Sequence, residues 1–125
     1  MRLPVAGTRV SEVTIGYTVT VRLGESFEYE LHIEGDLEIF EGSKPPTRFE
    51  YECYQEHREQ LEALVGSVVE TATADSSGSF ELGLNTGLCV RVLPDAEYEA
   101  WSLVGPRGYR VICLPGGQLA IWSAR

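Results

Sequence analysis

The sequence has few histidines and few basic residues, the side chains on which much catalysis and phosphate binding depend. Its 125 residues include only 2 His and 10 Lys or Arg, against 19 Asp or Glu, and its net charge is −9. No segment approaches the ~20 consecutive apolar residues of a membrane helix, and residues 1–13 lack the apolar run of a signal peptide. A chain this negative repels phosphate groups. We therefore expect a cytoplasmic protein that binds neither nucleic acid nor membranes.

Cysteine is also scarce. Cys53, Cys89 and Cys113 are far apart in the chain, their number is odd, and no CxxC spacing occurs. A disulfide framework or a zinc site is not expected, because both need paired or closely grouped cysteines. We predict that all three thiols are free and pack as small apolar side chains, which suits a reducing cytoplasm.

The negative charge is concentrated in about one third of the chain. Residues 25–62 hold twelve Asp and Glu but only Lys44, Arg48 and Arg58, whereas acids and bases balance outside this segment. A field of one sign attracts a partner of the opposite sign. The distribution predicts an acidic surface that binds a cationic protein; the alternative is a plain solvated surface, which has the same composition.

Apolar and polar residues alternate over most of the chain, as in half-buried β-strands. One segment, residues 56–65, is instead rich in helix formers and is followed by Gly66, a residue suited to end a helix. We predict an α+β fold that is mostly antiparallel β-sheet with one central helix. The predicted strands cover residues 17–23, 27–33, 37–40, 49–53, 68–74, 80–84, 88–92, 98–104, 109–114 and 119–122.

The length of the chain suits a single domain over residues 1–125. Within it, residues 7–34 and 66–95 share a pattern of glycine and apolar positions, in which Val10 corresponds to Val69 and, after a short insertion, Leu31 corresponds to Val92. Two explanations remain open. The fold contains two duplicated three-stranded meanders, or the two segments share only the likeness that any two β-meanders have.

The C-terminal segment Cys113–Trp122 (CLPGGQLAIW) places Pro-Gly-Gly between two strand-like runs. A phosphate-binding glycine loop normally connects a strand to a helix, whose first N–H groups reach the anion. No helical segment follows here, and Pro followed by Gly is typical of a tight turn. We predict a β-hairpin and not a ligand-binding loop.

The same region carries a resemblance to a known family. The matching segments are residues 2–10 (RLPVAGTRV), residues 61–66 (LEALVG) and, most specifically, the C-terminal pattern of YEAW at 98–101, Gly105, Pro106, Gly108 and CLPGGQLAIW at 113–122. This pattern resembles short, uncharacterised actinobacterial proteins known only as a domain of unknown function. The resemblance implies a stand-alone bacterial cytoplasmic protein, and it brings no activity, cofactor or catalytic residue.

Candidate catalytic and metal-binding residues are few. His32 lies near Glu28 and Glu30 on one predicted strand, but ligands from a single strand converge poorly on a metal ion, so a solvated strand face is favoured. Cys53 precedes His57 without a local signature or an orienting third residue, so the pair does not indicate a nucleophile. We expect no enzyme activity, no metal and no cofactor.

Two binding surfaces are predicted, one for each leading class of function. Glu28, Glu30 and Glu34 have even spacings and should project from one face of a strand, as a docking stripe for the basic partner of an immunity- or antitoxin-like inhibitor. The alternative function is binding of a small ligand. Its pocket would be lined by the C-terminal aromatic residues Tyr98, Trp101, Tyr109 and Trp122.

The C-terminal strands also predict an assembly. Residues 111–114 and 119–122 are apolar on both strand faces, so each face of this part of the sheet needs a cover. One helix is a small cover for so many strands, and homodimers are the commonest protein assembly. We predict a homodimer that buries the C-terminal strands.

Overall fold

The computed structural model describes residues 1–125 and contains two antiparallel β-sheets. The six-stranded sheet consists, in spatial order, of β1 (Val10–Ile15), β2 (Val19–Leu23), β3 (Tyr29–Ile33), β9 (Trp101–Val104), β10 (Arg110–Cys113) and β11 (Leu119–Trp122). The five-stranded sheet consists of β5 (Thr47–Phe49), β4 (Leu37–Glu41), β8 (Leu88–Val92), β7 (Phe80–Leu84) and β6 (Val69–Ala74).

Helical structure is limited to short segments. The α-helix, α1 (Arg58–Glu62), follows a 3-10 turn at Tyr54–His57, and a second 3-10 turn lies at Pro106–Gly108. The predicted fold class, mostly antiparallel sheet with one central helix, is confirmed.

One continuous apolar core joins the inner faces of the two sheets. The apolar residues of β2 are buried and alternate with partly exposed ones, as the sequence pattern predicts. Trp101 of β9 packs against Phe80 of β7 with ring centroids 4.9 Å apart, and its Nε1–H donates to the carbonyl of Gly78 at 2.8 Å. Burying a Val, Leu or Phe side chain stabilises the fold by about 1.5–3 kcal/mol, so this core provides most of the driving force for folding.

The helix is shorter than its sequence predicts. It ends at Glu62 and not at residue 65, although Gly66 has the left-handed backbone, with φ of +94°, that suits a position after a helix. The N–H of Gly66 donates to Val10 O at 2.8 Å, and Ser67 O accepts the N–H of Val10 at 2.8 Å. Because these residues bond to β1, the chain leaves the helical conformation early.

Two predicted strands differ from the structure at segments that contain a residue with a positive φ. Phe27 has φ of +55° and lies half-exposed in the turn before β3, so the strand predicted over 27–33 begins at Tyr29. Glu52 has φ of +72°, and the strand predicted over 49–53 is wrong except at Phe49, because β5 covers Thr47–Phe49 and residues 50–53 are not extended strand. A residue in the left-handed region breaks the extended conformation that strand pairing requires.

The connections that follow β3 and β8 cross between the sheets. β4 follows β3 in sequence but pairs with β8, while β9 follows β8 but pairs with β3. At the crossing, the N–H groups of Glu34 and Gly35 both donate to Ala100 O, at 2.8 and 2.9 Å. A Cβ on Gly35 would lie 2.9 Å from the Cβ of Ala100, so the close approach requires glycine. The crossing therefore brings the two connections side by side.

Two equivalent hydrogen bonds join the two meanders, β1–β3 and β6–β8, one in each direction. The N–H of Gly7 donates to Val69 O at 2.7 Å, and the N–H of Gly66 donates to Val10 O at 2.8 Å. Gly7 corresponds to Gly66, and Val10 corresponds to Val69, in the repeat predicted from the sequence. A common origin of the two meanders stays a prediction. The two reciprocal hydrogen bonds are consistent with it.

The third strands of the two meanders correspond with a shift from the sequence-based match. Ile33 lies opposite Val19 in the first meander, and Val92 lies opposite Phe80 in the second. Val92 therefore corresponds to Ile33, and the match of Val92 with Leu31 is wrong. The reason is that the connection between β2 and β3 is longer than the one between β7 and β8.

The segment Cys113–Trp122 forms the predicted hairpin. β10 and β11 pair antiparallel, and the N–H of Leu114 donates to Gln118 O at 2.8 Å across the turn. The backbone of Gly117 lies against that of Gly78 in the β6–β7 turn, where a Cβ on Gly78 would stand 2.4 Å from Gly117 O. The Pro-Gly-Gly turn therefore packs one sheet against the other.

Candidate functional site

The predicted docking stripe does not lie on one strand. Glu28 precedes β3, and its carboxylate accepts the backbone N–H of Ser26 at 3.1 Å within the β2–β3 turn. The prediction that Glu28 projects from the strand with Glu30 and Glu34 is wrong, because the positive φ of Phe27 turns the chain just before it.

The other two glutamates differ in their electrostatic partners. Glu30 lies in β3, where its carboxylate is 3.4 Å from Arg22 Nε and 3.2 Å from His32 Nε2. Glu34 follows the strand, is exposed and forms no ion pair. Of the three predicted docking residues, Glu30 is the one that already has basic neighbours, whereas Glu28 and Glu34 are exposed and form no ion pair.

The four C-terminal aromatic residues do not share a pocket. Trp101 is 1% exposed and belongs to the core. Tyr109 packs edge-on against Tyr29, with ring centroids 6.2 Å apart, and lines a shallow groove together with the half-exposed Trp122. Tyr98 lines a different cavity. The predicted aromatic pocket is therefore divided among the core and two surfaces.

The candidate catalytic residues are likewise separated. His57 stacks on Phe49 with ring centroids 4.5 Å apart, and its Nδ1 is 3.1 Å from Gln60 Oε1, so its ring does not pair with Cys53. No three His, Cys, Asp or Glu side chains are grouped as a metal site. Every buried side-chain nitrogen and oxygen has a hydrogen-bond partner, so no polar group in the interior awaits a ligand.

All three cysteines are unpaired in the structure. Burial raises the pKa of the thiols of Cys53, Cys89 and Cys113, and it does so most directly for Cys113, which lies in the core. A raised thiol pKa lowers the fraction of thiolate, which is the nucleophilic form. The environment of these cysteines is that of packed side chains and not of activated nucleophiles.

Residues from four separate chain segments converge on one surface cavity of about 180 Å³. The segments are the β1–β2 turn, the β3–β4 crossing, the residues after β5 and the β8–β9 connection. We call this cavity the tyrosine pocket; it is lined by Tyr17, Thr18, Glu34, Tyr51, Glu52 and Tyr98. Three phenol rings and two carboxylates thus surround one cavity, and none of its lining residues is basic.

The tyrosine pocket is held by contacts to the crossing below it. Asp36 accepts the backbone N–H of Tyr51 at 2.9 Å and binds Arg48 Nη2 at 2.7 Å. The buried hydroxyl of Tyr54 donates to Gly35 O. Because Asp36 and Gly35 belong to the β3–β4 connection, these bonds fix the segment after β5 against the crossing.

Within the pocket, Tyr51 and Tyr98 pack together with ring centroids 5.5 Å apart and an interplanar angle of 40°. Interaction with the Glu52 carboxylate, and then with the Tyr98 hydroxyl, raises the pKa of Tyr51 well above its ordinary value. The positive φ of Glu52 turns its side chain to the same pocket as the preceding Tyr51. A non-glycine residue held in this conformation is uncommon and is found more often at functional sites.

Further unpaired carboxylates are linked to the tyrosine pocket through Glu34 and through the segment that contains Glu52. Glu34 shares a second small cavity with Glu99. The pKa of the Cys53 thiol is raised by burial and further by the negative charges of nearby glutamates, and no basic residue offsets them. We call this region the acidic patch; its members, none of which forms an ion pair, are Glu34, Glu50, Glu52, Glu56 and Glu99.

A larger, more apolar groove of about 380 Å³ lies between the β4–β5 hairpin and α1. Its lining includes Ile39, Phe49 and Leu88, together with Lys44 and Gln60. Ligand sites usually measure about 300–1,000 Å³ and are mostly apolar, so the groove has the size and character of a small-molecule site.

The sequence contained signals for only part of the tyrosine pocket. Glu34 and Tyr98 were candidates in two different sets, and the structure brings them together. Tyr17, Tyr51 and Glu52 were missed. Tyr17 was predicted to begin the strand over 17–23, but it lies in the β1–β2 turn before β2 and is 90% exposed, and exposed aromatics are enriched in binding surfaces.

Comparison with protein-family models matches residues 1–123 to one family, whose description reads "Family of unknown function (DUF6188)". No curated protein and no solved structure is significantly similar to this chain. The predicted likeness to a domain of unknown function is confirmed, while the actinobacterial origin and the specific C-terminal pattern stay predictions. None of the helices has the length and apolar character needed to cross a membrane.

Proposed function

The chain belongs to a family of unknown function (DUF6188), which supplies no activity, and we propose from its surface that it is a non-enzymatic protein that binds a basic protein partner. The observation that carries this proposal is the acidic patch: Glu34 and Glu52 line a cavity walled by exposed tyrosines, Glu99 shares a neighbouring cavity with Glu34, and none of the five patch carboxylates forms an ion pair. Some acids elsewhere, such as Glu12, Glu38 and Glu62, form ion pairs with arginines of the same chain, and others are unpaired; the patch differs from the latter in that two of its carboxylates line a cavity together with tyrosines.

Unpaired like charges that lie close together lower the stability of a folded protein, although the cost is small on an exposed surface. A partner that brings positive charge removes this repulsion and gains electrostatic attraction over a distance, which accelerates association. Exposed tyrosines beside the charges add contact area at a low cost in conformational entropy. The acidic patch therefore has both components of a protein-binding surface, an attractive field and aromatic anchors.

An immunity- or antitoxin-like inhibitor is the form of this function that we favour. Toxins that act on nucleic acids need basic surfaces, since they must neutralise phosphates. An acidic inhibitor that covers such a surface acts by occupying it and needs no catalytic group of its own. This proposal requires a bacterial protein in the cytoplasm, which is what the sequence predicts.

The test is an affinity purification from a lysate of the source organism, followed by identification of bound proteins. The patch variant Glu50→Gln/Glu99→Gln changes two residues of the acidic patch that do not line the tyrosine pocket. The control variant Glu25→Gln/Glu70→Gln removes the same charge from two exposed glutamates that form no ion pair and lie outside the patch.

The proposal expects one basic protein that the wild type and the control variant retain and the patch variant loses. Added salt of about 0.5 M should release it, because the screening length then falls below the ~8 Å of physiological conditions. A partner that both variants retain equally, in low and high salt, contradicts the proposal. So does a partner with an acidic surface.

Binding of a small apolar ligand is the second candidate function, and the groove between the β4–β5 hairpin and α1 favours it. Substitution of Ala63, which lines the groove at the end of α1, by Trp would fill it. If a small ligand binds there, the native protein should show a ligand-dependent rise in melting temperature that Ala63→Trp abolishes. An equal rise in the two proteins places the ligand elsewhere.

A further inference from the structure

The tyrosine pocket has the size of one amino-acid side chain. Its volume of about 180 Å³ is well below the roughly 300–1,000 Å³ of sites for drug-sized ligands and cofactors. It is also formed by surface turns and not by the core, so it is accessible to a side chain that projects from another protein. Both properties suit a docking pocket for one residue of a partner.

The charge of the pocket selects a cation. Glu34 and Glu52 line it without any basic residue, and neither forms an ion pair with another part of the chain. The phenol rings add to this preference, because the negative face of an aromatic ring attracts a cation. A neutral or anionic side chain would leave the two carboxylates without compensation.

The planar walls favour a guanidinium over an ammonium group. The rings of Tyr51 and Tyr98 are tilted by 40° and stand 5.5 Å apart, and Tyr17 forms another wall at the exposed β1–β2 turn. A guanidinium is flat, stacks on aromatic rings and donates to carboxylates in its own plane. An ammonium is more strongly hydrated and loses more solvation when it enters such a pocket.

We propose that the tyrosine pocket binds the guanidinium group of an arginine side chain from a protein partner. In the complex, the guanidinium lies against the phenol rings and donates hydrogen bonds to Glu34 and Glu52. The inference rests on the proposed function, because it names the residue through which the basic partner is recognised.

The experiment uses small probes and the complete chain, so that it does not depend on identification of the partner. N-acetyl-arginine amide is titrated into the protein while the tyrosine ring signals are followed by NMR. N-acetyl-citrulline amide is the matched neutral probe, since it replaces the guanidinium by a urea of the same shape. N-acetyl-lysine amide provides the ammonium, and free arginine provides a guanidinium that also carries a carboxylate.

The expected result is weak, saturable binding of N-acetyl-arginine amide that moves the ring signals of Tyr17, Tyr51 and Tyr98. The signals of Tyr29 and Tyr109, which line no part of the pocket, should not move. The lysine probe should bind several-fold more weakly, because its ammonium group is more strongly hydrated. The citrulline probe should bind at least about tenfold more weakly, because the neutral urea makes no charge-assisted hydrogen bonds.

Variants of the chain locate the site. Glu34→Gln/Glu52→Gln should weaken binding of the arginine probe by about tenfold, whereas Glu25→Gln/Glu70→Gln, with the same change in net charge, should leave it unchanged. Tyr17→Ala, at a residue that is 90% exposed and contributes little to stability, should weaken binding without affecting the fold.

Three outcomes overturn the inference. The first is equal binding of the citrulline and arginine probes. The second is an equal effect of the pocket variant and the control variant on binding. The third is tighter binding of free arginine than of N-acetyl-arginine amide, which would make the site one for a metabolite. If the probes fail but the patch variant still loses its basic partner, the proposed function stands and the arginine pocket is wrong. If the probes bind as expected and no basic partner is retained, the pocket binds a guanidinium and the proposed function is wrong.

Discussion

Asp36 fixes the position of Tyr51. One carboxylate oxygen of Asp36 accepts the backbone N–H of Tyr51 at 2.9 Å, and the other binds Arg48 Nη2 at 2.7 Å. Asp36 belongs to the connection that crosses between the sheets, so this contact ties the tyrosine pocket to the crossing. Two of the predictions below depend on this arrangement.

The first prediction concerns the pH dependence of stability. Burial by itself would raise the pKa of the Asp36 carboxyl, but the hydrogen bonds from Arg48 and from the Tyr51 N–H outweigh it and lower the pKa below its ordinary value. A lowered folded-state pKa stabilises the protein above the unfolded-state pKa of ~3.9, and this contribution is lost as the pH falls through the folded-state value.

Asp36→Asn should therefore destabilise the protein by about 1 kcal/mol at neutral pH, since the ion pair is partly exposed. The difference from wild type should shrink as the pH falls below about 4, where the wild-type carboxyl becomes protonated. Urea unfolding at several pH values measures it. A difference that stays constant over the whole acidic range would show that the charge of Asp36 is not the cause.

The second prediction tests the interior of the tyrosine pocket. Interaction with the Glu52 carboxylate, followed by that with the Tyr98 hydroxyl, raises the pKa of Tyr51. Glu52→Gln removes the negative charge that opposes formation of the phenolate, so the pKa of Tyr51 should fall towards its ordinary value near ~10. The ring carbon bearing the hydroxyl reports the titration by NMR. Glu70→Gln serves as the control, and an unchanged Tyr51 titration in Glu52→Gln contradicts the geometry described.

The third prediction separates close packing from backbone strain. Gly78 and Gly87 both have φ of +93°, but a Cβ on Gly78 would stand 2.4 Å from Gly117 O, whereas a Cβ on Gly87 meets nothing within 4 Å. Gly87→Ala should cost about 1 kcal/mol, which is the strain of a left-handed alanine. Gly78→Ala should cost roughly 1–3 kcal/mol more, because two turns must separate. Equal free energies of unfolding for the two variants would remove the contact between the sheets as a source of stability.

The fourth prediction is that the thiols are free and structural. Alkylation in denaturant without a reductant should add three labels to the intact protein, as the unpaired cysteines require. In the native state at neutral pH, Cys113 should react last, because it is fully buried and burial raises its pKa. A mass corresponding to a single label under denaturing conditions would reveal a disulfide.

The fifth prediction is the homodimer, which we propose through β11. This strand pairs only with β10, so its other edge is free, and Ile121 and Trp122 are 52% and 50% exposed there. Free edges are normally protected by charges or prolines, and Leu119–Trp122 has neither. A second copy that pairs along β11 covers both the edge and the apolar side chains.

Light scattering at tens of micromolar should therefore give the mass of two chains. Ile121→Lys places a charge on the edge and should give one chain, while Val65→Lys, at an exposed apolar residue after α1, should leave the dimer intact. A wild-type monomer at this concentration ends the proposal. The exposed β11 would then be a feature of the monomer.

The local parts of this fold were determined by the sequence itself. The strands at Phe80–Leu84, Leu88–Val92 and Leu119–Trp122 have the bounds that alternation and turn residues predict, and the Pro-Gly-Gly hairpin forms as expected. These features depend on neighbours within a few residues, where period-two burial and turn preferences act directly. The end of α1 was not predictable in this way, because hydrogen bonds from residues 66–67 to β1 decide it.

The candidate site was decided by tertiary structure. Glu34 and Tyr98 belong to different connections, and they line one cavity because Glu34 and Gly35 bond to Ala100 where those connections cross. No periodicity along the chain encodes such a crossing, since it depends on which strand of one half pairs with the other half. The sequence determined that one segment of the chain is strongly acidic; the non-local pairing of β3 with β9 and of β4 with β8 decided which carboxylates and tyrosine rings meet.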